Sequence, residues 1–201
     1  MTKTQKQIQG EQTRQRLIEE AAKLFVRKGF HGTSIADLAQ AAGLTKGALY
    51  HHFDSKDDLF YAVVKMVRDT WTAAVVRDVL KEGNALDRIG TLLDNHVRMV
   101  SENEILCMTM ASLVADMDDG DPAFADALVD VYSDLVSFIE RIVQKGQDAG
   151  EVRPDLDAQL VALNVVGMLR TSCCRILQRL EPDYGVRMDA LKQMILAGLR
   201  P

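Results

Sequence analysis

The chain has 201 residues, 47% of them hydrophobic and 26% charged, a composition that excludes a disordered protein and suits one large or two small globular domains. It contains no uninterrupted apolar stretch of the ~18 residues a membrane span needs, and its opening MTKTQKQIQG lacks the apolar run of a secretory signal, so a cytoplasmic location without a membrane partner is expected. The net charge of −5 is unevenly divided: residues 1–65 carry ten Lys/Arg against seven Asp/Glu and the remainder fourteen against twenty-two, which suits a polyanion bound by the head alone.

Helical periodicity runs through the chain and no segment alternates as a strand does, which predicts an all-α fold of about nine helices: three in an N-terminal head, one connecting, and five in a bundle. The first helix is expected from Glu11 to Lys28, with Leu17, Ala21, Leu24 and Phe25 on one face and Gly29 closing it; residues 1–10 read as an arm. Thr33 or Ser34 caps a short second helix carrying Ile35, Leu38 and Ala39, and Gly43 stops it. Thr45 caps a third through His51 or His52. Ser55 opens a long fourth helix, with Phe60, Val63, Val64, Val67 and Trp71 on a shared face, that ends near Gly83. Further helices are expected over roughly 86–102, 104–117, 122–149, 156–180 and 186–200, with Pro122, Pro154 and Pro182 as breakers between them. The domain division that follows is 1–55 for the head and 56–201 for the body.

Residues 33–53, TSIADLAQAAGLTKGALYHHF, carry the chemistry. Two short helices joined at Gly43, with the small Ala39 four residues earlier, have helix-turn-helix spacing. The third helix is poorly explained by its own stability. Lys46 puts a cation at the positive end of a helix, a cost of up to about 1 kcal/mol, and Gly47 costs on the order of 1 kcal/mol in a helix interior. Lys56 repeats the oddity one helix later. A DNA backbone close by would account for both lysines, since helix N-termini attract phosphate, and its close approach would account for the glycine. Tyr50 and His51 can hydrogen-bond phosphate oxygens.

The stretch TSIADLAQAAGLTKGALYHHFDSKDDL, from Thr33 to Leu59, preceded by RLIEEAAKLFVRKGF, resembles the DNA-binding head of the TetR family. The resemblance spans roughly residues 13–62, with His52 a departure where the family often has tyrosine. It implies that Thr33 and Ser34 lie at the N-terminus of the supporting helix. Thr45, Lys46, Gly47, Tyr50 and His51 would then lie on the recognition helix, Lys56 would clamp a phosphate, and Leu44, Leu49 and Phe53 would be core. It further implies repression, a small-molecule effector bound in the second domain, and pairing of the last two helices with a second copy.

The periodicity offers faces for that pairing: Leu160, Leu163, Asn164, Gly167, Thr171 and Cys174 on the penultimate helix, and Leu191, Met194, Ile195 and Gly198 on the last. Candidates for an effector pocket are Trp71, His96, Met99, Met108, Met110, Asn164 and Arg170, because His96 interrupts an apolar stripe and methionines suit adaptable apolar sites. An apolar or amphipathic effector is expected. The alternative is a redox sensor acting through Cys107 or the Cys173–Cys174 pair; neighbours on one helix point about 100° apart, which disfavours a structural disulfide between them. Asp116, Asp118, Asp119 and Asp121 surround Gly120, but an EF-hand register would place Ala115 and Met117 at ligand positions. No metal, cofactor or catalytic grouping is expected.

Overall fold

A computed structural model of the chain describes residues 4–115, 122–172 and 184–201. Among them are nine α-helices and no strand, the all-α class the periodicity predicts. In chain order the helices are α1 (Gln5–Lys28), α2 (Ile35–Ala41), α3 (Lys46–Tyr50), α4 (Lys56–Val75), α5 (Ala85–Glu102), α6 (Glu104–Ala115), α7 (Pro122–Asp148), α8 (Ala158–Ser172) and α9 (Tyr184–Leu199). The chain divides into two compact units: Met1–Arg68 with Met108–Ala127, and Asp69–Cys107 with Leu128–Pro201.

In the first unit, α1 begins six residues before its expected start. Thr4 and Gln7 form a capping box, with Thr4 N–H donating to Gln7 Oε1 at 2.8 Å and Gln7 N–H to Thr4 Oγ1 at 3.4 Å. Much of the expected arm is therefore helical. The buried residues of α1 begin only at Leu17, so its first turns carry no apolar periodicity from which to read a helix. The head closes around Leu17, Phe25, Leu38, Leu49, Leu59 and Phe60, all fully buried. Phe60 stacks on Phe124 at 4.2 Å, and Phe30 meets Phe25, Phe60 and Phe124 edge-on. Ser112 Oγ donates to the Phe25 carbonyl at 2.8 Å, so the end of α6 and the start of α7 pack with the head helices.

In the second unit, α5 buries Ile89, Leu92, Leu93, His96 and Met99. Its N-terminus is satisfied twice, by Asn84 Oδ1 accepting from Asp87 N–H at 2.8 Å and by the Glu151 carboxylate accepting from Ala85 N–H at 2.7 Å. α4 stops at Val75, short of Gly83, and a 3-10 turn over Val79–Lys81 follows. Val75 and Val79 are both fully buried, a four-residue spacing that mimics continued helix in sequence. The side chain of Asn95 takes the Val75 carbonyl at 3.1 Å, which satisfies one carbonyl at the helix end.

Candidate functional site

The head holds a helix-turn-helix built by local chemistry. Ser34 caps α2 in a box with Asp37: Ser34 N–H donates to Asp37 Oδ2 at 2.9 Å and Asp37 N–H to Ser34 Oγ at 3.1 Å. The Lys28 ammonium beside Asp37, at 2.8 Å, and the Ser34 donors hold its carboxyl well below the usual carboxylate range. Gly43 makes the turn with φ of 65°, a conformation side-chain-bearing residues avoid, and Leu44 N–H bonds back to the Ala39 carbonyl at 2.8 Å. Thr45 then caps α3, its Oγ1 accepting from Ala48 N–H at 3.1 Å, while Leu49 anchors the short helix in the core.

On the outer side of α3, Thr45, Lys46, Gly47, Tyr50 and His51 are solvent-facing, and half of Tyr50 is open to solvent. Lys46 has no ion-pair partner among the described residues. A Cβ built on Gly47 meets only Thr45 Oγ1, at 4.0 Å. Nothing among the described residues requires a glycine there, so its cost to the helix has no internal offset. The side of α3 that bears a lysine, a tyrosine, a histidine and a bare backbone is shaped to meet a polyanion at close range.

Two of the candidate side chains are engaged within the head. Thr33 is 1% exposed and its hydroxyl donates to the Gly29 carbonyl at 2.7 Å, so its side chain braces the loop before α2 and does not face outward. Lys56 does not reach outward as a phosphate clamp either. Its ammonium donates to the carbonyls of Phe30 and Thr33, at 3.0 and 3.1 Å, and sits 4.2 Å from the centre of the Phe30 ring. Replacing Lys56 by Ala is therefore expected to cost about 1–2 kcal/mol of stability, measurable by urea denaturation. The salt dependence of DNA binding should move less than it does for Lys46→Ala. Ser34 sits on the exposed rim with its hydroxyl committed to Asp37 at 2.7 Å. The pKa of His52, beside the expected site, is pushed down by partial burial and by its neighbours His51 and Arg14.

The pocket candidates fall in both units. Met108 and Met110 belong to the first unit and the other five to the second. Trp71 and His96 do meet, with Trp71 Nε1–H donating to His96 Nδ1 at 3.2 Å, and His96 Nε2 lies 2.9 Å from the Leu169 carbonyl. An indole N–H only donates and a carbonyl only accepts, so these partners assign the imidazole proton to Nε2. His96 thus links α4, α5 and α8 as a buried, hydrogen-bonded core residue. Met99 is buried, with its sulfur 3.8 Å from Cys107 Sγ. Asn164 and Arg170 are exposed, and Asn164 bonds to the Leu160 carbonyl of its own helix.

A cleft of about 300 Å³ in the second unit lies between α5, α8 and α9. Its charged members include Asp94, Arg98 and Lys192, none of which periodicity singles out. Lys192 is 98 residues from Asp94, its ion-pair partner at 2.7 Å, a separation that leaves no local signature.

Of the pairing candidates, Leu160, Leu163, Gly167, Thr171 and Met194 are exposed, Met194 to 65%, while Leu191 and Ile195 are half-buried. The opposite face of α8, with Ala162, Val165, Val166 and Leu169, is already buried. On its other side α8 exposes Leu160 and Leu163 beside the small Gly167 and Thr171. Cys173, Cys174 and Asp116–Asp121 lie outside the described residues. Cys107 is 7% exposed. Among the described residues no group of three or more His, Cys, Asp or Glu side chains is placed to hold a metal ion, and no helix is long and apolar enough to cross a membrane.

Residues 17–63 match the family described as bacterial regulatory proteins of the tetR family, and residues 85–184 match the tetracyclin repressor-like C-terminal domain. The chain belongs to the TetR family of transcriptional regulators. It is 28% identical over 150 residues to the transcriptional repressor KstR2 of Mycobacterium tuberculosis, covering 72% of each chain. The fold matches that of the fatty acid degradation regulator FadR from Bacillus halodurans with a TM-score of 0.78 at 16% identity, over 100% of this chain and 99% of that one. It also matches AibR, solved in complex with isovaleryl coenzyme A and operator DNA, with a TM-score of 0.74 at 22% identity over 90% and 97% of the two chains. TetR-family membership and the exposed helix-turn-helix make this a DNA-binding, ligand-responsive regulator.

Proposed function

We propose that the protein is a cytoplasmic repressor that binds a palindromic operator as a homodimer and is released by a small apolar or amphipathic effector. The observation that carries the DNA half is Gly47, an exposed helix-interior glycine with nothing around it to require one, flanked by Lys46 and followed by Tyr50 and His51. Recognition uses phosphate contacts from this surface, with Thr45 and Ser34 at its edge. The exposed stripe of α8, with Met194 of α9, supports the homodimer. Two-fold symmetry would then present two copies of α3 to half-sites about 34 Å apart or a multiple of that.

The effector half draws on the relatives. KstR2 is a repressor, FadR a fatty acid degradation regulator, and AibR was solved with isovaleryl coenzyme A and operator DNA together. The test is thermodynamic reciprocity. An operator is selected from random duplexes and an effector identified by mass spectrometry of molecules that co-purify with the protein. If that effector lowers DNA affinity tenfold, about 1.4 kcal/mol of coupling, operator DNA must lower effector affinity by the same tenfold. Equal effector affinity with and without DNA would end the effector half of the proposal, and absence of any selected duplex would end the DNA half.

A further inference from the structure

The cleft between α5, α8 and α9 joins an apolar floor, including Leu93, Val97 and Met168, to a charged rim. Its volume of about 300 Å³ lies at the lower end of the ~300–1,000 Å³ typical of ligand sites. The rim charges are not equivalent. Lys192 is held by two carboxylates, Asp94 at 2.7 Å and Asp189 at 2.8 Å, so that end of the cleft is saturated and carries a net negative charge. Arg98, one helical turn along α5 from Asp94, has no carboxylate within ion-pair distance among the described residues. Its guanidinium instead donates to a neutral acceptor, Asn95 Oδ1, at 2.8 Å. A guanidinium fork with no ion-pair partner among the described residues, sensed only at a distance by the Asp78 carboxyl, in a cleft with apolar side chains, is complementary to an anionic head on an apolar chain.

The same Arg98 is one step from the end of α4. Asn95, which accepts its N–H, donates through Nδ2 to the Val75 carbonyl, the last of α4, at 3.1 Å. Asn95 is 5% exposed. An anion that draws the guanidinium away leaves the buried Asn95 Oδ1 without that donor, a state disfavoured unless the amide turns and gives up Val75. We propose that this cleft is an effector site for an anionic amphiphile, bound by Arg98 at its head and by Leu93, Val97 and Met168 along its chain, and that the Arg98–Asn95–Val75 hydrogen-bond chain signals its occupancy to the end of α4. The site deepens the ligand-responsive reading above and rests on it only for its consequence on DNA.

Trp71, the single tryptophan of the chain, lies one turn before Val75, so intrinsic emission reports on this end of α4 without DNA. The full-length protein is titrated with decanoate below its micellar concentration, binding being followed by calorimetry and Trp71 by fluorescence. Saturable binding with a change in emission is expected. Decyltrimethylammonium should bind at least tenfold more weakly and acetate not measurably. Arg98 is exposed, so Arg98→Gln should keep the fold, checked by circular dichroism, and weaken decanoate binding at least tenfold. Arg98→Lys keeps the charge but loses the fork. It should bind decanoate more weakly than the native protein but more tightly than Arg98→Gln, while Trp71 emission no longer responds. No saturable decanoate binding, equal affinity for the cationic amphiphile or for acetate, or undiminished binding by Arg98→Gln would overturn the site. An unchanged Trp71 response in Arg98→Lys would overturn the signalling chain. None of these readouts involves DNA, so a failure here is distinct from a failure of operator binding.

Discussion

Gly47→Ala is expected to raise the stability of the protein by up to about 1 kcal/mol and to weaken its binding to DNA by at least tenfold. The two signs are opposite because the residue serves two requirements. Within the fold an added methyl meets only a threonine oxygen at 4.0 Å, an ordinary contact, and alanine fixes helical backbone at lower entropic cost than glycine. Toward the outside, the methyl stands where the backbone of α3 approaches the phosphates, and an ångström of separation forfeits hydrogen bonds that depend on close geometry. Lys46→Ala supplies the comparison: it should weaken binding to all duplexes alike and reduce the salt slope by about 1 for the single phosphate its ammonium neutralises. Denaturation curves and DNA titrations at several salt concentrations measure both effects. A Gly47→Ala protein that is more stable and binds DNA normally would show that α3 does not approach the duplex at this residue.

Gly167→Arg and Met194→Arg are each expected to give monomers, with operator affinity lower by about a hundredfold or more. The exposed stripe Leu160, Leu163, Gly167 and Thr171 lies along one side of α8, and a Cβ built on Gly167 meets nothing within 4 Å. An arginine at either position fits the isolated chain, so the fold should survive. It would bury an unpaired charge in a helix–helix contact between copies, which a packed apolar interface does not tolerate. The fall in DNA affinity follows from effective concentration: a dimer places its second head near its half-site, an advantage of about 10²–10⁴ that a monomer lacks. Sedimentation showing both variants still dimeric would place the interface on another face.

The head is legible in the sequence because its determinants are neighbours there. Ser34 and Asp37, Thr45 and Ala48, and the Gly43 turn act over three or four residues, and the pattern of each is visible without a fold. The helices of the body are legible through periodicity and their proline breaks. What escapes is long-range. Lys56 looks like a phosphate ligand until the carbonyls of Phe30 and Thr33, 26 and 23 residues away, are brought to its ammonium. Between Thr33 and Ser34 the sequence does not choose; the cap is Ser34, whose hydroxyl accepts from Asp37 N–H. The start of α1 escapes for the opposite reason: a helix that buries nothing over its first turns has no apolar rhythm, only a capping box. The cleft between α5, α8 and α9 draws its charged side chains from helices far apart in the chain, a separation with no local signature.

Three consecutive residues of α5 have a mechanical consequence for the body. Asp94 is tied to α9 through Lys192, Asn95 to the end of α4 through the Val75 carbonyl, and His96 to Trp71 of α4 and to the Leu169 carbonyl of α8. Successive side chains leave a helix about 100° apart, so these ties pull in three directions around one axis. A helix fastened this way resists rolling, because a rotation that relieves one bond tends to stretch another. It can slide or tilt only by taking its three neighbours along or by surrendering a specific bond. The second unit therefore behaves less like a set of greased cylinders than like a keyed shaft, in which adjustment comes in discrete steps as individual keys disengage.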